Sequence, residues 1–195
     1  MTTTSTGATS TSSVVNFISR QHQLIKQRFT TVLDARSGDA RARAFFDLRR
    51  LLAVHEAAEE EIVHPAARRN LAGGDANVKQ RLNDEFTAKT ALADLESMDI
   101  NSPEFISRLR LLQHNVNEHA AWEETEELPQ LQVKLSGEQL QRLRRAMEIA
   151  EAIAPTRPHP PIGSTAASAF VGPFAAMVDH ARDAINAPGA NAAGD

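Results

Sequence analysis

The chain has 195 residues, 42% of them hydrophobic, with a formal net charge of −4 at pH 7 and no cysteine. This composition predicts one main globular domain, and the lack of a basic excess argues against nucleic acid as a partner. Without cysteine there is no disulfide, thiolate zinc site or iron–sulfur cluster, so any bound metal has to be held by histidines and carboxylates.

The chain begins with a Thr/Ser-rich segment, and residues 1–13 are expected to form a disordered tail. This segment lacks the basic residues and apolar core of a secretory signal, and no run of 18 apolar residues predicts a membrane span. We therefore expect a cytoplasmic protein that makes no use of a membrane.

Four amphipathic helices are predicted between residues 14 and 135, because apolar residues recur at steps of three and four. Ser13 is the expected N-cap of the first helix, and the sequence NSP at Asn101 to Pro103 is typical of the start of the fourth. Short polar turns join the helices, which favours antiparallel neighbours. The predicted fold is all-α, an up-down-up-down four-helix bundle with additional C-terminal helices.

The rest of the chain is predicted to lie outside the bundle. Ser136 and Gln139 resemble a capping box that opens an additional helix over residues 136–154. A Pro-rich linker follows at 155–172, then a short amphipathic helix at 173–187 and a loose tail at 188–195.

Two segments place histidine and glutamate on the apolar stripes of these helices. HEAAEEEIVHP starts at His55 and HAAWEETEELP at His119, and each has a Glu four residues on and a Pro ten residues on. Residues four apart on a helix point in nearly the same direction, so each pair faces the core. A buried carboxylate is costly unless it is paired or binds a metal.

His22 lies on the stripe of the first helix, so three histidines and two glutamates are expected in one core layer. A lone buried histidine is more often a hydrogen-bonded core residue, and a single HxxxE is often only an ion pair. The doubled motif with a third inward histidine favours a metal site, because bundle cores hold metals on inward Glu and His.

The remaining candidates are separated by direction along the helix. His64, nine residues past His55, points nearly the opposite way, so we predict a gate or outer-shell residue, not a ligand. Pro65 could bend the helix and change that direction. The neighbouring acidic residues are predicted to form a solvated rim: Glu60, Glu61, Glu124, Glu126 and Glu127.

These residues resemble the motifs of the hemerythrin-like HHE cation-binding family over about residues 14–135. The resemblance depends on His22, on His55 and Glu59 with Pro65, and on His119 and Glu123 with Pro129. The family pattern is H…HxxxE…H…HxxxE. It implies a non-haem di-iron centre in which histidines are terminal ligands, while Glu59 and Glu123 bridge the two metals.

Helix three departs from the family pattern, because the stretch NDEFTAKTALADL contains no histidine. Depending on register, the family's histidine position falls on Glu85 or on Phe86. Glu85 lies mid-stripe, seven residues from both Val78 and Leu92, so it could supply a carboxylate ligand in place of the imidazole. The alternatives are an ion pair between Glu85 and Lys89, or Phe86 at the ligand position or as a gate, with one metal or none bound.

The resemblance implies a protein that binds or reacts with dioxygen, peroxide or nitric oxide, with two non-haem irons or another divalent metal. Iron suits a centre of imidazoles and carboxylates with open positions. Nothing in the sequence selects peroxide turnover over simple binding or sensing, and the oligomeric state is not indicated. The alternative function is that of a metal-free or mononuclear bundle that acts as a binding or scaffold protein.

Overall fold

A computed structural model describes residues 13–153, which form seven α-helices and two π-helical turns. The helices are α1 (Val14–Asp34), α2 (Gly38–Ala58), α3 (His64–Asn70), α4 (Gly74–Glu96), α5 (Pro103–Trp122), α6 (Leu128–Lys134) and α7 (Gly137–Ile153). The first π turn (Glu59–Val63) joins α2 to α3, and the second π turn (Glu123–Glu127) joins α5 to α6. The predicted N-terminal tail, Pro-rich linker, amphipathic helix and C-terminal tail lie outside the described residues.

The predicted all-α bundle is confirmed, and residues 13–153 contain no β-strand. Its four rods are α1, α2 with α3, α4, and α5 with α6, because each π turn continues one helix into the next. Helix α1 packs against α2 and α5, and α4 packs against α3 and α5. Helix α7 is the additional helix and packs against α1, α2 and the first π turn.

Serine side chains cap the helices where the sequence predicted helix starts. The hydroxyl of Ser13 accepts a hydrogen bond from the N–H of Asn16. Ser136 and Gln139 form the reciprocal capping box. The N–H of Ser136 donates to the side-chain oxygen of Gln139 at 2.8 Å, and the N–H of Gln139 donates to the hydroxyl of Ser136 at 3.3 Å. These caps satisfy N–H groups that have no partner within the helix.

Ser102 provides a test of this account, because its hydroxyl accepts a hydrogen bond of 3.0 Å from the N–H of the fully buried Phe105. Ser102→Ala is expected to lower the free energy of unfolding by about 1 kcal/mol. Ser107→Ala is the matched control, since Ser107 is exposed within the same helix and the expected change is within about 0.5 kcal/mol. Urea unfolding monitored by circular dichroism measures both. Equal effects of the two variants would contradict the capping role.

The apolar core is divided into two clusters with a polar layer between them. On α1, Ile18 belongs to one cluster and Ile25 to the other, and His22 lies between them. On the second rod, His55 lies in the same way between Leu52 and Ala58. The polar layer therefore occupies a buried cross-section of the bundle, between the hydrophobic side chains of the two clusters.

Candidate metal centre

The polar layer brings together six residues proposed from the sequence as metal ligands. Five of them are at most 6% exposed: His22, His55, Glu59, Glu85 and Glu123. The sixth, His119, has a side chain that is 11% exposed. Residues on four different helical rods thus converge on one small volume.

The first group of ligand atoms comes from α1, α2 and the first π turn. The Nε2 atom of His55 lies 3.3 Å from a carboxylate oxygen of Glu59, and the Nε2 atom of His22 lies 3.8 Å from the other. One ligand atom from each of these three residues lies within 4.8 Å of the others, a separation that one metal ion can span. Nε2 of His22 is also 3.3 Å from an oxygen of Glu123.

The second group consists of Glu59, Glu85, His119 and Glu123, whose ligand atoms also lie within 4.8 Å of one another. The Nε2 atom of His119 is 3.2 Å from Glu123 and 3.9 Å from Glu85. Glu59 belongs to both groups. The two groups of ligand atoms are therefore adjacent and share the carboxylate of Glu59.

The two π turns set the direction of the residues that follow them. The N–H of His64 donates to the carbonyl of Glu59, five residues earlier, and the N–H of Leu128 donates to Glu123 in the same way. A π turn holds one more residue than an α turn, so later residues are set back by about 100°. Pro65 follows the first π turn and has no N–H for the carbonyl four residues earlier, which favours this local widening.

This widening overturns two predictions. His64 was expected to point nearly opposite to His55, yet it lies in the polar layer and is 1% exposed. Glu127 was expected on a solvated acidic rim, and it is also 1% exposed. His64, Glu123 and Glu127 form a third group of ligand atoms within 4.8 Å of one another. A sequence signal was present in Pro65 and Pro129, which mark both turns.

The protonation of the layer reflects burial and the opposing charges. Burial alone would lower the pKa of His22 and His119, but the nearby carboxylates of Glu123 and Glu59 raise the pKa of His22 well above its usual value. Glu123 likewise raises the pKa of His119 to about 9, whereas burial lowers the pKa of His55 to about 4. Because imidazole ligates metals in its neutral form, a metal has to displace the protons on His22 and His119.

The layer fits a metal because several of its buried polar atoms make no hydrogen bond within the described part of the chain. Both carboxylate oxygens of Glu59 and of Glu123 are buried and make no hydrogen bond, and the same is true of both ring nitrogens of His119. Leaving a buried polar atom unpaired costs about 1–3 kcal/mol, and more when it is charged. Several such atoms aimed at one volume are the donor set that a hard or borderline cation satisfies.

Comparison with known proteins also indicates metal binding. The family model of the hemerythrin HHE cation-binding domain matches residues 13–131, more than half of the chain. The chain belongs to this family. It is also similar to an uncharacterized hemerythrin-like protein of Schizosaccharomyces pombe, with 27% identity over 169 residues that cover 85% of this chain and 83% of the relative. No solved structure matched the chain.

In this hemerythrin-like chain, Glu85 and Phe86 of α4, the third predicted helix, lie on different faces of the helix. Glu85 points into the centre, whereas Phe86 is 46% exposed, so the register with Phe86 beside the ligands is wrong. The proposed pairing of Glu85 with Lys89 is not the main contact of either residue. Lys89 forms an ion pair with Glu60, and Glu85 lies 2.5 Å from Nε2 of His64.

Two histidines of this hemerythrin-like centre, His22 and His55, have hydrogen-bond partners on the side of the ring that faces away from the centre. Nδ1 of His22 lies 2.9 Å from Glu124, and Nδ1 of His55 lies 3.0 Å from the side-chain oxygen of Gln21. Gln21 in turn donates to Glu151 of α7, which lies beyond the family match. Outer partners of this kind fix the tautomer and the ring direction of a metal-ligating histidine. Helix α7 therefore contributes to the position of His55.

A cavity of about 670 Å³ leads to the centre and is lined mainly by residues of α4 and α5. Apolar side chains, among them Leu52 and Val116, form part of its wall next to the histidines. Arg81 lies further out, 4.3 Å above the ring of Trp122 and 3.0 Å from Asp84.

Within residues 13–153, no helix has the length and apolar character required to cross a membrane.

Proposed function

We propose that this hemerythrin-like protein holds two non-haem iron ions and that the centre binds or reacts with dioxygen, peroxide or nitric oxide. The observation that supports two metals is the place of Glu59, which contributes ligand atoms to both neighbouring groups. Its two oxygens make no hydrogen bond in the described part of the chain, so both are available to cations.

The residues divide into two sets around this carboxylate. His22 and His55 would hold one iron, and His119 with Glu85 would hold the other. Glu123 would lie between them, because one of its oxygens is near His22 and the other is near His119. Imidazole and carboxylate ligands suit iron, which supplies electron transfer to and from small oxygen or nitrogen ligands when bound.

The surroundings of the centre support a small ligand and not a large substrate. The two hydrophobic clusters close the layer along the bundle axis, so the cavity between α4 and α5 is the access that the described residues provide. Its volume of about 670 Å³ lies within the usual range of small-molecule sites. Diatomic molecules and peroxide are small enough to enter it.

Iron stoichiometry tests the proposal. Protein produced with added iron, or loaded anaerobically with ferrous iron, is expected to retain two irons per chain after desalting. Elemental analysis counts them, and a ligand-to-metal absorption band in the near ultraviolet reports the oxidised form. One iron per chain would contradict a two-metal centre. No iron, zinc or manganese after loading would favour the metal-free scaffold instead.

The choice of small ligand is tested on the same loaded protein. Anaerobic, reduced protein is mixed separately with dioxygen, hydrogen peroxide and a nitric oxide donor, and absorption and electron paramagnetic resonance spectra are recorded. At least one of the three is expected to change the spectrum stoichiometrically with the centre. Release of dioxygen under vacuum would indicate reversible binding, while repeated peroxide consumption would indicate turnover. No response to any of them would contradict the proposed ligand class.

A further inference from the structure

We infer that His64 is a fourth imidazole ligand of the centre, at the metal position of His119 and Glu85, and that Glu127 holds it in place. The inference rests on the proposed two-metal function and identifies residues that the doubled HxxxE motif does not include. It also gives a reason why α4, which corresponds to the third predicted helix, can do without a histidine.

The first argument is the common orientation of the other three histidines. Each turns Nε2 toward a carboxylate of the centre: His22 toward Glu123 at 3.3 Å, His55 toward Glu59 at 3.3 Å, and His119 toward Glu123 at 3.2 Å. Each turns Nδ1 away from the centre, toward Glu124, Gln21 and Asp84, respectively. In His22 and His55 this is the arrangement in which Nε2 ligates and Nδ1–H is held by an outer acceptor, while Asp84 lies 3.7 Å from Nδ1 of His119.

His64 has the same orientation. Its Nε2 lies 2.5 Å from Oε1 of Glu85, and its Nδ1 lies 3.7 Å from Oε1 of Glu127. Glu85 already belongs to the group of the second metal, and the two rings of His64 and His119 approach it from different helices. The rings of His64 and His119 therefore face the same carboxylate oxygen of Glu85, and Glu127 lies behind His64.

The second argument is the burial of unsatisfied atoms. His64 and Glu127 are each 1% exposed, and neither Nδ1 of His64 nor either oxygen of Glu127 makes a hydrogen bond of good geometry. Two π turns are used to place these side chains inside, one before His64 and one ending at Glu127. Local π turns in α-helices are frequent at functional sites. A purely structural pair would gain from direct, well-formed hydrogen bonds.

The third argument is charge. Among residues 13–153, five glutamates are buried, and four of them contribute atoms to the ligand groups, Glu59, Glu85, Glu123 and Glu127, with four histidines within reach of them. Four carboxylates balance the charge of two divalent cations when the imidazoles are neutral. Helix α4 supplies the carboxyl group of Glu85 where the family pattern has an imidazole, and His64 of α3 supplies an imidazole instead. Because a buried charge is stable only when it is compensated, this balance favours two cations in the layer.

Metal titration of variants tests the role of His64. We compare the wild type with His64→Phe, which fills the space without a ligand atom, and with Glu127→Gln, which keeps the shape but removes the charge. His114→Phe is the matched control, because His114 is exposed on α5. The probes are ferrous iron added anaerobically and cobalt(II), with elemental analysis after desalting and isothermal titration calorimetry.

The wild type and His114→Phe are expected to bind two metals, whereas His64→Phe retains one. Glu127→Gln should still bind two at saturation, with the weaker site about 10–100-fold weaker than in the wild type. Proton NMR of the cobalt protein gives an independent readout, since every ligating imidazole contributes one shifted, solvent-exchangeable N–H signal. Four signals are expected in the wild type and three in His64→Phe.

Several outcomes would overturn the inference. Two metals with unchanged affinities in His64→Phe would mean that His64 is no ligand. Three metals in the wild type and two in His64→Phe would assign His64 and Glu127 to a separate third position. No metal in the wild type would refute the proposed function together with this inference. If His64→Phe does not fold, as judged by circular dichroism of the metal-free protein, His64→Gln replaces it, and the same loss of one metal and one signal is expected.

Discussion

Glu59→Leu is expected to abolish binding of both metals, the largest effect of any single change in the centre. Glu59 contributes ligand atoms to both groups, whereas His22 and His55 belong to only one. Removing a shared ligand weakens each position directly and also removes the negative charge that lets two cations lie side by side. Metal content after iron loading should fall from two per chain to near zero. Retention of one tightly bound iron would contradict the shared role.

The same substitution is expected to make the metal-free protein more stable. Glu59 is 1% exposed, and neither of its oxygens makes a hydrogen bond. A buried acceptor without a hydrogen bond costs about 1–3 kcal/mol, and replacing it by an apolar group of similar volume removes that cost. His22 keeps Glu123 and Glu124 as partners, so the change leaves no isolated cation.

Urea unfolding in the presence of a chelator measures this gain in the free energy of unfolding. Glu126→Leu is the matched control, because Glu126 is exposed in the second π turn and its change should lie within about 0.5 kcal/mol. A loss of several kcal/mol in metal-free Glu59→Leu would show that the glutamate is a structural partner of the histidines. The opposite signs expected with and without metal distinguish a binding site from a structural polar network.

The fold and most of the centre could be predicted from the sequence because both follow from helical periodicity. Ile18, His22 and Ile25 share one stripe of α1, so a core layer that contains histidine was predicted from the sequence, and the structure places it between two apolar clusters. Ser102 and the Ser136–Gln139 pair marked helix starts through local hydrogen bonding, which depends on only a few neighbouring residues. These features need no knowledge of how the rods pack.

His64 and Glu127 could not be placed in this way, because a constant 100° per residue fails across a π turn. Each π turn changes the direction of the later residues by about 100°, the rotation of one residue. This is enough for a side chain that is buried to be predicted on the surface. Pro65 and Pro129 were the available signals, since each lies six residues after an inward glutamate. Periodicity gives the face of a helix only while the hydrogen-bond pattern is uniform.

The outer partners of the histidines were beyond prediction for a different reason. Gln21 and Glu151 are 130 residues apart and meet only because α7 packs against α1. No local pattern links an exposed-looking glutamine on one helix to a glutamate on another. Ligand residues on long stripes can be predicted from sequence, whereas the side chains that orient them depend on tertiary packing.

Glu85 is the residue at which this chain departs from the family pattern, and its replacement is expected to separate metal number from metal properties. Glu85→Ala removes an oxygen ligand from the group of His119, so iron content should fall from two per chain toward one. Asn83→Ala, an exposed change on the same helix, should leave two irons. Lys89→Met should also leave two, because Lys89 pairs with Glu60.

Glu85→His restores an imidazole at the position where the family pattern has one, and two irons are expected to remain. The substitution removes one negative charge from a buried site, and a carboxylate stabilises the more highly charged, oxidised iron more than a neutral imidazole does. The reduction potential of the centre should therefore rise in Glu85→His, as measured by spectroelectrochemical titration of the iron band. An unchanged potential with two irons bound would mean that Glu85 is not a ligand. In that case Glu85 serves to hold His64, and the position on the second iron belongs to water or to the small ligand.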